Sequence, residues 1–247
     1  MQQVFVEDTQ VGKEYVTITG SDAHHLIHVV RLKVGEKLRV STTGGRNYLC
    51  SIAEIGDSFL QADIVSDLIS TELPATVLLF QALPKGDRME NVIEKTVELG
   101  VSEIIPVSMQ FCVVKLTPDK ARTKVQRWQT IAENAARQSK RSALPVIRDV
   151  CDFPSALNAF LQCDLALFPY ENERGMEATQ DALAAIRPGQ TIGIMIGPEG
   201  GFSLEEVEAV EKKARCLSLG KRILRTDTAA ITAMSMVMLA LEMRSGR

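Results

Sequence analysis

Up to about residue 70 the chain alternates apolar and polar positions in short runs, and beyond it changes to apolar blocks separated by stretches of helical periodicity. In the first part, Lys37-Leu38-Arg39-Val40-Ser41 and Asn47-Tyr48-Leu49-Cys50-Ser51-Ile52 flank Thr42-Thr43-Gly44-Gly45-Arg46, a Gly-rich connection suited to a hairpin. Phe59-Leu60-Gln61-Ala62-Asp63-Ile64-Val65 continues the alternation after a turn at Gly56-Asp57, and a short helix over 22–31 interrupts the strands. The economical reading is a small barrel-like β domain. After Glu72-Leu73-Pro74 the rhythm becomes strand, helix, strand, helix. Strands are predicted at 76–80, 104–107, 164–168, 192–196 and 217–219, and helices at 87–99, 118–139 with Thr117 as N-cap, 156–161, 178–186, 204–214 and 228–244. Such alternation predicts an α/β fold with a mainly parallel sheet covered on both faces. The final helix is apolar over most of its surface, so it is buried or half of it faces another subunit. Two domains are expected, over 1–72 and 73–247.

Two apolar runs open into loops with restricted backbones. Ile192-Gly193-Ile194-Met195-Ile196 leads into Gly197-Pro198-Glu199-Gly200-Gly201-Phe202-Ser203, and Leu217-Ser218-Leu219 into Gly220-Lys221-Arg222-Ile223-Leu224-Arg225-Thr226-Asp227-Thr228-Ala229. Open α/β proteins bind ligands at the carboxyl edge of the sheet, so these loops predict a ligand site and an enzyme. The first is neither a Walker loop nor G-x-G-x-x-G, but its glycines let a flat ligand approach the main chain. Ser203 with Glu206 reads as a capping box, Phe202 as a staple onto Val207, and Thr226 or Asp227 as the cap of the last helix. Arg225 is either a guanidinium fork for an anion or a surface partner of Asp227.

Charge and composition narrow the chemistry. The net charge of −3 conceals a basic segment in which Lys115, Lys120, Arg122, Lys124, Arg127, Arg137, Lys140, Arg141 and Arg148 face only Asp119 and Glu133. That density suits RNA phosphates or a solvated helix face. Cys50, Cys112, Cys151, Cys163 and Cys216 form no C-x-x-C pair and read as reduced, mostly buried thiols. His24 and His28 share a helix face without a third ligand, and no histidine follows position 28 to serve a Ser-His-Asp triad in the α/β part, so no metal is expected. An enzyme with none of these devices borrows its reactivity from a bound cosubstrate. The amino terminus lacks a secretory pattern and no apolar run suffices to span a bilayer, so a cytoplasmic protein is expected.

The paired carboxy-terminal motifs resemble those of the bacterial 16S rRNA (uracil-N3) methyltransferase family, a branch of the SPOUT superfamily. His25-Leu26-Ile27-His28-Val29-Val30-Arg31, the stretch 95–106 and the stretch 138–145 are similar to its other motifs, so the resemblance covers nearly the whole chain. It implies a PUA-like RNA-binding β domain, an α/β domain with a deep trefoil knot, a homodimer, and S-adenosylmethionine held among three strand ends. Here these are Phe168, Pro169, Tyr170 and Glu171; Ile196, Gly197, Pro198, Glu199, Gly200 and Gly201; and Leu219, Gly220, Ile223, Leu224, Arg225 and Thr226. The implied catalytic residue is Arg225, with Glu199 and Glu171 as candidate proton acceptors. Implied RNA contacts are His25, Arg31, Lys85, Arg88, Lys95, Lys115, Gln138 and Arg141, with 16S rRNA or the assembled small subunit as substrate. Phe111 stands where an arginine is common in the family, Arg137 where glutamate precedes the glutamine, and Asp227 where glutamate is usual. A tRNA methyltransferase of the same superfamily and a non-catalytic RNA-binding protein remain alternatives.

Overall fold

The Gly-rich connection does close a hairpin in the computed structural model, which describes residues 1–170 and 175–244. It lies in the first of two units, Met1–Glu72 with Ala136–Leu144; the second is Leu73–Ala135 with Pro145–Arg247.

In the first unit, strands β1 (Gln2–Val6), β2 (Tyr15–Thr19), β3 (Lys37–Thr42), β4 (Asn47–Ile55) and β5 (Phe59–Asp67) form one sheet in the order β1-β3-β4-β5-β2. Only β1 and β3 run parallel; the other pairs are antiparallel. Alternation sends Val16, Ile18, Leu38, Val40, Cys50, Ile52, Leu60 and Ala62 to a common core, as the period of two requires. The expected helix is shorter and begins earlier: α1 (Gly20–His24) runs into one wider turn over His25–Val29, with Ala23 and Leu26 buried in the core.

The segment 136–144 is stitched to this sheet by buried polar groups. The Arg141 side chain, 5 % exposed, forks onto Glu72, with Nε 2.9 Å from both carboxylate oxygens. Glu72 Oε1 also accepts the Ser142 and Ala143 amides at 2.7 and 3.1 Å. Ser142 Oγ accepts from Arg39 at 3.1 Å and from the Thr71 amide at 2.9 Å, while Gln3 Nε2 donates to the Arg141 carbonyl at 2.6 Å. Buried charge is tolerated where partners surround it in this way.

The second unit holds β6 (Thr76–Ala82), α2 (Arg88–Glu98), β7 (Glu103–Ser108), most of α3 (Pro118–Gln138), β8 (Val146–Ile147), β9 (Cys151–Asp152) and α4 (Phe153–Phe160). These are followed by β10 (Leu165–Pro169), α5 (Glu177–Ala184), β11 (Thr191–Ile196), α6 (Leu204–Glu211), β12 (Arg215–Leu217) and α7 (Thr226–Glu242). Its sheet runs β12-β10-β11-β6-β7-β8, with β9 also on β7, and every pairing is parallel. The near-continuous apolar runs of β10 and β11 are buried throughout or nearly so, as a sheet covered on both faces demands. Helix α7 buries Ala230, Ala233, Met234, Val237, Ala240 and Leu241, a helical stripe, and packs on α2, α5 and β11.

Three expectations need correction. The last strand is Arg215–Leu217 rather than 217–219, because its ladder pairs these residues with Leu167, Phe168 and Pro169 and Ser218 already turns away. Helix α6 stops at Glu211, short of Ala214. Neither Thr226 nor Asp227 caps α7: Arg225 occupies that position with extended backbone, and Thr226 is the first helical residue, its hydroxyl spent on a neighbouring loop.

Candidate active site

Three neighbouring strands, β11, β10 and β12, end side by side, and the loops that follow them enclose a cavity of about 370 Å³. That volume lies within the roughly 300–1,000 Å³ of small-molecule sites. Its walls come from Pro169 and Tyr170, from Ile196, Gly197, Pro198, Glu199, Gly201 and Phe202, and from 218–226 with Ala229. Every described residue that the resemblance assigns to the cofactor is therefore at the wall except Phe168 and Gly200, which stand directly behind it or beside it in the chain. Glu171 lies outside the described residues.

Local chemistry fixes each loop. The Thr226 hydroxyl donates to the Gly197 carbonyl at 2.8 Å and accepts from Gln81 Nε2 at 3.0 Å, joining the start of α7 to the ends of β11 and β6. The Thr179 hydroxyl on α5 exchanges hydrogen bonds with the Ser218 amide and carbonyl, both at 2.9 Å. Tyr170 N reaches the Leu217 carbonyl at 3.1 Å. Ser203 and Glu206 form the expected capping box, and Glu206 also accepts the Gln110 amide at 3.0 Å. Phe202 lays its ring 4.6 Å from that of Phe168, and a Cβ on Gly197 would come within 2.7 Å of it. Gly220 has a φ of +109°, a left-handed conformation that only glycine adopts cheaply.

The electrostatics single out two residues. Glu199 Oε1 pairs with Arg88 at 2.6 Å and accepts the Lys85 amide at 3.0 Å. Burial works against its charge, but the Lys85 amide and the Arg88 guanidinium hold the carboxyl below its usual range. Arg225, at the cavity wall and exposed, has no partner for its guanidinium among the described residues. The alternative of a surface pair with Asp227 is therefore not what the structure contains; Asp227 accepts from Asn91 at 3.4 Å.

The residues assigned to RNA fall into different settings. His25, Arg31 and Gln138 are exposed in the first unit, and Arg31 holds a φ of +60°. Arg141 is buried against Glu72. In the second unit Lys85 and Lys115 are exposed, Arg88 serves Glu199, and Lys95 is paired with Glu94 and Glu98 on α2 at 2.7 and 2.9 Å. His24 and His28 lie 4.7 Å apart ring to ring, and no group of three metal-ligating side chains occurs among the described residues. Of the cysteines only Cys50 and Cys112 are buried; the other three are half-buried.

Gln81 and Thr179 escaped sequence reasoning. Gln81 had a signal, a lone amide within the apolar run Val77-Leu78-Leu79-Phe80-Gln81-Ala82-Leu83, and the structure buries it completely.

A parallel α/β sheet with a ligand cavity at adjacent strand ends, and cations at its wall unpaired among the described residues, places the second unit among the α/β proteins that bind a ligand at the carboxyl edge of the sheet. The comparisons with known proteins narrow that class. An RNA methyltransferase domain model matches residues 71–238, and an RNA methyltransferase PUA domain model matches 18–65. The chain is 34% identical over its full length to the ribosomal RNA small subunit methyltransferase E of Bacillus subtilis, covering 99% of that protein. A solved ribosomal RNA small subunit methyltransferase E from Neisseria gonorrhoeae, bound to S-adenosyl methionine, superposes with a TM-score of 0.79 at 26% identity over 95% of both chains. A Legionella pneumophila protein solved in complex with the same cofactor gives 0.80 at 29% identity, over 97% of this chain and 98% of that one. The chain belongs to the RNA methyltransferase family, in the branch of ribosomal RNA small subunit methyltransferase E.

Proposed function

We propose that the protein transfers a methyl group from S-adenosylmethionine to N3 of a specific uridine in 16S rRNA of the small ribosomal subunit. The observation that carries this reading is the cavity at the ends of β10, β11 and β12, with Arg225 unpaired at its wall, in a chain whose relatives are named for that substrate. The cavity fits the cosubstrate: its size suits a nucleoside-sized molecule, and its wall combines apolar side chains such as Ile196, Leu219 and Leu224 with glycine main chain at Gly197, Gly201 and Gly220 and with the polar groups of Glu199 and Arg225.

When bound, the sulfonium supplies an activated methyl group, so the protein's task is to position it and to help the uracil imide lose its proton. Main-chain groups near Gly197, Leu219 and Leu224, all in the cavity wall, would hold the cosubstrate's adenine. Arg225 faces the negative charge that develops on the uracil, the role of a preorganised cation. Glu199 is a poor proton acceptor, because Arg88 and the Lys85 amide favour its ionised form and weaken it as a base. Cation-assisted ionisation toward solvent is the better route. N3 lies on the pairing edge, so the target base is unpaired or turned out of its stack.

In this reading residues 1–72 form the PUA-like RNA-binding domain and 73–247 the knotted methyltransferase domain. His25, Arg31, Gln138 and the basic segment meet folded rRNA, and Arg141 acts by shaping the 136–144 segment that carries Gln138. The chain works as a cytoplasmic homodimer; the exposed Leu239 and Met243 on the last turns of α7 are apolar surface available to a second copy. No helix among the described residues is long and apolar enough to cross a membrane.

Arg225→Ala tests the assignment. Turnover on small subunits should fall about a hundred- to a thousandfold, the scale of losing a transition-state donor, while calorimetric binding of S-adenosylmethionine is retained. Activity within a few-fold of the parent would remove Arg225 from the chemistry.

A further inference from the structure

The connection between β7 and α3 contains an aromatic residue that the catalytic account leaves unused. Of the eight phenylalanines, Phe111 is 45 % exposed while the other seven are buried or half-buried. Its neighbours are firmly held. Gln110 N donates to Glu206, Cys112 N to the Met109 carbonyl at 3.2 Å, and both Met109 and Cys112 are buried. The Phe111 Cβ rests on Gly200, 2.9 Å from where a side chain there would begin. Gly200 sits between Glu199 and Gly201, both in the cavity wall. The Phe111 backbone is thus held against the loop that walls the ligand cavity, and its ring is open to solvent.

Two cations are tied to the same loop: Arg88 pairs with Glu199 and the Lys85 amide donates to it, one residue from the Gly200 against which Phe111 rests, and Lys115 is exposed four residues beyond Phe111. An exposed aromatic face on a loop that also carries cations is an arrangement by which proteins hold unpaired nucleotides, the ring stacking a base and the cations meeting phosphates. An apolar partner surface would not need that charge, which sets a nucleic-acid occupant above a second copy of the chain.

We infer that Phe111 is a stacking platform for an unpaired nucleobase of the RNA substrate, seating it beside the methyl-transfer cavity. The inference rests on the RNA methyltransferase reading and adds to it a residue that selects for unstacked bases.

The test compares three variants of the full chain. Phe111→Leu keeps the Cβ on Gly200 and most of the bulk but has no π face; Phe111→Tyr keeps the face; Phe111→Trp adds a fluorescent one. The platform requires that leucine raise KM for unmodified small subunits about tenfold, the worth of one base stack, with S-adenosylmethionine affinity unchanged and tyrosine restoring the parent value. It also requires that single-stranded oligouridylate quench the Phe111→Trp variant and not the parent, whose single tryptophan, Trp128, is buried. Leucine behaving as the parent would overturn the inference, and so would leucine's loss of activity accompanied by dissociation to monomers, which would assign the ring to a subunit contact. Quenching with a parent that methylates no ribosomal subunit would support the platform while striking the proposed function.

Discussion

Glu199 sits between two roles, and its surroundings choose one. A carboxylate in a catalytic cavity invites assignment as a base, but a 2.6 Å pair with Arg88 and a 3.0 Å bond from the Lys85 amide make it a strut between the β6–α2 loop and the cofactor loop. Its carboxyl lies below the usual range in the folded protein, so its stabilising contribution is full above the unfolded value of about 4.3 and is lost as pH falls through the lowered folded one. The melting temperature of the parent should exceed that of Glu199→Gln by a constant margin above pH 5, and the margin should close toward pH 3. A margin independent of pH would remove the charge from the explanation. At this scale the sequence was legible where a residue's chemistry is local: the Ser203–Glu206 capping box needs only four positions. Thr226 was misread because its hydroxyl partner, the Gly197 carbonyl, is 29 residues away and meets it only through the sheet order.

Elements show the same division. Helix α2, the Gly-rich hairpin and β11 follow from periodicity, since each buries one face or both. The two-residue strands β8 and β9 carry no pattern long enough to read, and β12 was placed two residues late because Leu219 looks as apolar as Leu217. The 136–144 segment was invisible as a part of the first unit: its basic residues suggested a phosphate-binding face, yet Arg141 is its buried anchor. Removing the charge of Glu72 leaves that guanidinium without its counter-ion, and a broken buried pair costs roughly 3–5 kcal/mol, less here because glutamine retains one acceptor and Glu72 is a quarter exposed. Glu72→Gln should therefore destabilise the protein by about 2–3 kcal/mol in urea unfolding. The solvent-facing Arg148–Glu103 pair, 57%/26% exposed, should cost less than about 1 kcal/mol when broken by Glu103→Gln. Equal costs for the two would mean that the Glu72 network is not a structural anchor.

For the whole molecule, the two-part rhythm and the loops at the sheet's carboxyl edge were readable from pattern, whereas the strand order β12-β10-β11-β6-β7-β8 was not. Periodicity reports which residues are buried and says nothing about which strand lies beside which. A knot is further beyond its reach, since chains as a rule avoid threading; only the resemblance of Leu219-Gly220 through Ala229 to a known family raised it. The central claim is that these three loops hold S-adenosylmethionine so that its methyl group reaches N3 of one 16S uridine. It is tested most directly by incubating the protein with labelled S-adenosylmethionine and small ribosomal subunits lacking the modification, then mapping the labelled nucleotide by mass. The account predicts label on N3 of a single uridine of 16S rRNA; label on another atom, or on tRNA supplied in the same assay and not on the subunits, would contradict it.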